Sequence, residues 1–177
     1  MMKSQQRYIR SAYAASMWAF IFAATSFYWA AGGTFGVSTV GSEIISIATT
    51  YKTLFSIILW LDGIAKTLLG LLALGLVQSW GRVFPRKFLL VASWVIGLLM
   101  AAYGATELIV TGTSALLMKT GVIAISPSVD WVGIEGHLAI WDPYWLLGGI
   151  LFMLSAVPIQ NQLIKRIRKH SELQKLA

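Results

Sequence analysis

Four long apolar stretches alternate with short polar segments along the chain. The first, about 11–31, contains no charged residue. The second, about 54–77, is interrupted only by Asp62 and Lys66, and the third, about 88–111, only by Glu107. The fourth begins at Pro143 and runs to about 160. A membrane-spanning helix needs about 20 mainly apolar residues. Runs of this length and uniformity read as helices rather than strands. The pattern predicts an all-α polytopic membrane protein, with four transmembrane helices in a compact antiparallel bundle. It makes one domain over 1–177, with outer loops at about 32–53 and 112–142 and a basic tail at about 161–177.

Within the stretches, small residues recur at helical spacing. Ala12, Ser16, Ala19, Ala23, Ser26 and Ala30 form a stripe in the first. The others each carry a pair seven residues apart: Gly63 and Gly70, Gly97 and Gly104, Gly149 and Ala156. Small side chains let helix backbones approach where lipid removes the hydrophobic drive for association, so a left-handed bundle is expected. Asp142 followed by Pro143 reads as a helix cap and first helical residue. Pro158 is expected to loosen the last turns. A short helix is expected from about Ser42, with Glu43 in its first turn.

Composition sharpens the class. Hydrophobic residues make up 57%, charged residues 12%, the mean hydropathy is +0.72, and Cys is absent. A soluble domain carries about 25% charged residues, so soluble, disordered and disulfide-stapled classes are excluded. The net charge of +7 has a topological explanation. Lys3, Arg7 and Arg10 precede the first stretch; Arg82, Arg86 and Lys87 lie between the second and third; Lys165, Arg166, Arg168, Lys169 and Lys175 follow the fourth. The other side holds Lys52 and Lys119 against Glu43, Asp130, Glu135 and Asp142. The positive-inside rule then puts both termini in the cytoplasm. The basic residues thus call for membrane lipids, not nucleic acid, as partners. The first stretch is too long for a cleaved signal and reads as a retained helix.

Three charged residues inside the spans carry the functional question. Asp62 and Lys66 are four apart, on one helix face, and Glu107 follows the Gly97–Gly104 face of the next span. Intramembrane charges are costly and usually paired or facing an interior cavity. Three readings stand open: a structural ion pair, an outward-facing polar pocket, and a proton relay or catalytic site. His137, with Glu135, Asp130 and Asp142 nearby, reads as an interfacial histidine, or else as a metal ligand or proton acceptor. One His without Cys is a poor metal set, and no metal or cofactor is expected. Trp29, Trp141, Tyr144 and Trp145 gather at the outer ends, where they form an aromatic belt or line a pocket. No phosphate loop, nucleophile elbow or helical zinc motif is present.

Two segments are distinctive: Tyr28-Trp29-Ala30-Ala31-Gly32-Gly33-Thr34-Phe35-Gly36 and Trp141-Asp142-Pro143-Tyr144-Trp145-Leu146-Leu147-Gly148-Gly149. Together they resemble a family of small bacterial four-helix membrane proteins classed as a domain of unknown function. The resemblance implies a four-span fold and a bacterial plasma-membrane location, and supplies no activity. Where such relatives often carry His before the Tyr-Trp pair, this chain has Phe27. The expected function is binding of a small amphiphile or lipid headgroup at an outward pocket of Asp62, Lys66, Glu107, Trp29, Trp141, Glu135 and His137. The alternatives are a structural subunit of a membrane complex or homo-oligomer, and a membrane enzyme acting on a lipid or quinone.

Overall fold

Helix α1 (Met2–Ala30) leads into a short turn of 3-10 helix (Val37–Val40), α2 (Ser42–Thr50) and α3 (Lys52–Gly75). A second 3-10 turn (Trp80–Val83) precedes α4 (Arg86–Lys119). Helix α5 (Trp131–Gly136) then passes through a π turn (His137–Trp141) into α6 (Asp142–Leu176). The computed structural model describes residues 2–176, without the side chains of 2–8, 159, 162–163, 165–167 and 169–176. The side chains of Lys3, Arg7, Lys165, Arg166, Lys169, His170 and Lys175 therefore lie outside the described residues. Among the described residues the regular structure is entirely helical. Three segments are long and apolar enough to cross a membrane: 52–75, 86–119 and 131–158.

The long helices lie side by side in the order α3, α1, α6, α4. The stripe of α1 occupies the centre: Ala12, Ser16, Ala19, Ala23, Ser26 and Ala30 are all buried. Trp18 and Phe22 on the same helix anchor the core with Ala73, Met100 and Phe152. Helices α3 and α4, although consecutive, meet mainly beside their link, where Leu76 and Leu89 pack together. Outward faces of α3 and α4 carry exposed Leu, Ile and Val, the surface a lipid phase accepts.

The glycine pairs do two different jobs. Gly97, Gly104 and Gly149 bring the backbones of α4 and α6 into contact. A Cβ on Gly104 would stand 2.7 Å from the Asp142 carbonyl oxygen, and one on Gly149 would stand 2.6 Å from that of Gly97. Gly63 and Gly70 instead lie under the rings of Phe27 and Phe20 from α1. That pair accommodates aromatic side chains rather than a bare backbone, because α1 presents large residues beside its small ones.

Other boundaries differ from the sequence expectation. Helix α4 continues past Thr111 to Lys119, although Thr111, Gly112 and Thr113 are poor helix formers. Packing extends it: Leu138 of the π turn approaches Gly112, 3.6 Å from where a Cβ would be. Helical structure resumes at Trp131, well before Pro143. Asp142 is consequently not a helix cap. It lies inside a continuous helical run, and its backbone N–H donates to the His137 carbonyl. The wider π turn accommodates Pro143, which has no N–H for an α-helical bond. The helix runs on through Pro158.

Candidate functional site

Loop residues first fix the outer end. Gly32, at φ 94°, stops α1 in the left-handed conformation favoured by glycine. The Tyr28 hydroxyl accepts from the Phe35 backbone N–H at 3.2 Å, and Trp29 Nε1 donates to the Phe35 carbonyl at 2.9 Å. Asp130 fastens two helices at once. Its Oδ1 accepts from Gly133 N at 3.0 Å, its Oδ2 from Ser42 N at 2.7 Å. These bonds to its ionised form, that from Gly133 foremost, hold its pKa below the ordinary carboxylate value.

Across this frame the two distinctive segments meet. The Trp29 and Trp141 rings lie 5.4 Å apart, and Trp141 Nε1 donates to both the carbonyl and hydroxyl oxygens of Thr39 at 3.0 Å. Deeper, Trp18 and Tyr144 bind reciprocally. Trp18 Nε1 donates to the Tyr144 carbonyl at 2.9 Å, and the Tyr144 hydroxyl donates to the Trp18 carbonyl at 2.8 Å. Phe22 and Trp145 complete an aromatic layer between α1 and α6, with ring centroids 5.0 Å apart.

On the α1–α3 side of this layer lies the ion pair. Lys66 Nζ donates to Asp62 Oδ2 at 2.6 Å and to Ser26 Oγ at 3.0 Å; Ser26 Oγ lies 2.6 Å from Asp62 Oδ2. The ammonium also stands 3.4 Å from the Phe22 ring centroid and 5.9 Å from that of Trp145. The Lys66 side chain is buried and that of Asp62 is 38% exposed. Sequence spacing had placed these two on one face; the part played by Ser26 was hidden because it reads as a member of the small stripe.

On the α4–α6 side lies a second group. Asp142 is fully buried, and its Oδ1 is 2.9 Å from His137 Nδ1. Its Oδ2 is buried with no hydrogen-bond partner among the described residues. Gly104 of α4 meets the Asp142 backbone and Glu107 follows one turn later on the same helix, while the Tyr103 ring packs edge-on to Trp145 at 5.4 Å. Glu107 thus stands on a helix packed along the one that carries Asp142, and not along α3, which carries Asp62. Trp145 stands between the two charged groups, contacting one through Lys66 and the other through Tyr103. Glu135 is exposed on α5, outside both groups.

Among the described residues, no three His, Asp or Glu side chains converge as metal ligands. Chemically, the second group joins a buried carboxylate to a half-exposed imidazole. An ionised carboxylate at this distance takes its hydrogen bond from Nδ1–H, the tautomer that leaves Nε2 as the basic nitrogen. The family described as "Protein of unknown function (DUF3995)" matches residues 19–152, a range that includes every residue of both groups. No curated protein and no solved structure matches the chain.

Proposed function

For a chain that belongs to DUF3995, a family of proteins of unknown function, we propose a membrane-embedded binding protein whose outer site takes the cationic head of a small amphiphile. In this reading α1, α3, α4 and α6 all cross a bacterial plasma membrane, with both termini cytoplasmic. The span-like character of three of them, the position of α1 between two of those, and the sorting of basic residues support it.

The observation that carries the binding reading is an oxygen of buried Asp142 with no hydrogen-bond partner among the described residues, on a helix packed against the one that bears a second acid, Glu107. Asp62 and Lys66 neutralise each other. In their ionised form the remaining carboxylates supply negative charge among aromatic rings, which attracts a cation both directly and through the ring faces. Lys66 against Phe22 already shows that kind of contact within the chain. The proposed site is lined by Glu107, His137, Trp29 and Trp141, with Asp62, Lys66 and Glu135 at its margins.

Titrating dodecylammonium against dodecyl sulfate in neutral detergent, followed by tryptophan fluorescence, tests this. Saturable binding of the ammonium amphiphile alone is expected, weakened at least about tenfold in Glu107→Gln, as for loss of a charged hydrogen-bond partner. An equal response to both headgroups rejects the proposal.

One contact favours a second reading, a membrane enzyme acting on a lipid or quinone. The Asp142–His137 pair has the arrangement of an oriented general base. Turnover of such a substrate would be lost in His137→Gln; turnover unchanged in that variant rejects the enzyme.

A further inference from the structure

The opposite end of the molecule carries a separate feature. Helices α3 and α4 diverge from their short link, and a groove of about 400 Å3 lies in the fork. Its walls are apolar: Leu68, Leu71 and Gly75 of α3, Trp80 and Phe84 of the link, Phe88 of α4. All of these except Gly75 are exposed, so the groove is open. Both helices have the length and apolarity of membrane spans; the opening therefore faces hydrocarbon.

The fork is also held in place. A Cβ on Gly81 would collide with the Gly75 carbonyl, so the link backbone lies directly on the end of α3. The Arg86 guanidinium donates to the Leu76 carbonyl oxygen at 3.1 Å and ties the start of α4 to the same point. Two further cations, Arg82 and Lys87, are exposed beside the lining residues Trp80, Phe84 and Phe88. No Asp or Glu occurs between Asp62 and Glu107 to neutralise them.

We propose that this fork binds one anionic phospholipid, with an acyl chain in the groove and its phosphate against Arg82 and Lys87. An apolar slot ending at cations with no ion-pair partner among the described residues matches both parts of such a lipid, and basic pockets between membrane helices take acidic headgroups. A second copy of the chain fits less well. A two-fold contact would set the same cations against themselves, at a cost that an acidic lipid removes.

The full chain reconstituted in nanodiscs of phosphatidylcholine, with and without phosphatidylglycerol, and then released for native mass spectrometry, provides the test. Wild type is expected to retain one phosphatidylglycerol in preference to phosphatidylcholine. Removing Arg82 and Lys87 as alanines should lower that preference about fivefold for each cation. Leu71→Trp fills the groove, leaves the charge unchanged, and should also abolish retention. Thermal unfolding in detergent verifies that both variants are folded. Equal retention of the two lipids by wild type, retention preserved in both variants, or a lipid-free dimer that Leu71→Trp dissociates would each overturn the proposal.

Discussion

At the scale of single residues, buried Asp142 and half-buried Asp130 make opposite use of the same chemistry. Asp142 gives one oxygen to His137 and none of the described residues satisfies the other. Removing the imidazole in His137→Ala strands the whole carboxylate, and is expected to destabilise the protein by about 1–3 kcal/mol. Asp142→Asn in that background should recover part of the loss, because an amide is cheaper to bury than a carboxylate. A double-mutant cycle on thermal unfolding in detergent measures both; a loss in His137→Ala that Asp142→Asn deepens would count against this account. Asp130 works through its charge. Its pKa is lowered by backbone donors in the folded state, so the ionised form is the one folding favours. Its contribution is therefore complete above the ordinary carboxylate pKa and disappears as pH falls through the lowered folded value. Hydrogen exchange at the Ser42 and Gly133 amides should accelerate in Asp130→Ala at neutral pH. In wild type the extra protection should fade only below the ordinary carboxylate pKa.

At the scale of elements, close backbone contact and a change of helical pitch govern the site. Gly149→Leu forces a side chain into the α4 backbone and is expected to cost about 1–3 kcal/mol or more. Gly112→Ala meets only the flexible end of Leu138 and should be neutral or stabilising by about 0.5–1 kcal/mol, since alanine is the better helix former. Melting temperatures of the two variants should move in opposite directions or differ sharply. These elements also mark how far the sequence could be read. Runs of apolar residues reveal the long helices, and i,i+4 spacing reveals Asp62 with Lys66. His137 and Asp142 are five apart, and five residues on an α-helix point to different sides. Only the π turn brings them to one face, and the cue for it is Pro143, which equally suits a helix start. Glu107 was legible as an intramembrane acid but not as a neighbour of Asp142, because that depends on which helices are adjacent in space. The continuation of α4 past Gly112 rests likewise on a tertiary contact with Leu138 that local propensity does not contain.

At the scale of the whole molecule, the arrangement of charges carries the proposed orientation and the order of helices sets the core. Since the chain has no Cys, single cysteines report its topology without background. Ser126→Cys is expected to react with an impermeant maleimide in intact cells, and Arg82→Cys only after the membrane is opened. The reverse pattern would invert the proposed orientation. The core itself lies between α1 and α6, while α3 and α4 flank them. Trp18 acquires Tyr144 only from the far end of the chain, across 126 positions. Biogenesis follows from this. Helix α1 waits for α6, made about a hundred residues later, so assembly of these four helices cannot finish hairpin by hairpin during translation. A nascent chain halted before Trp131 holds the α1 face that would meet α6 uncovered, and becomes a candidate for quality control until α6 is made.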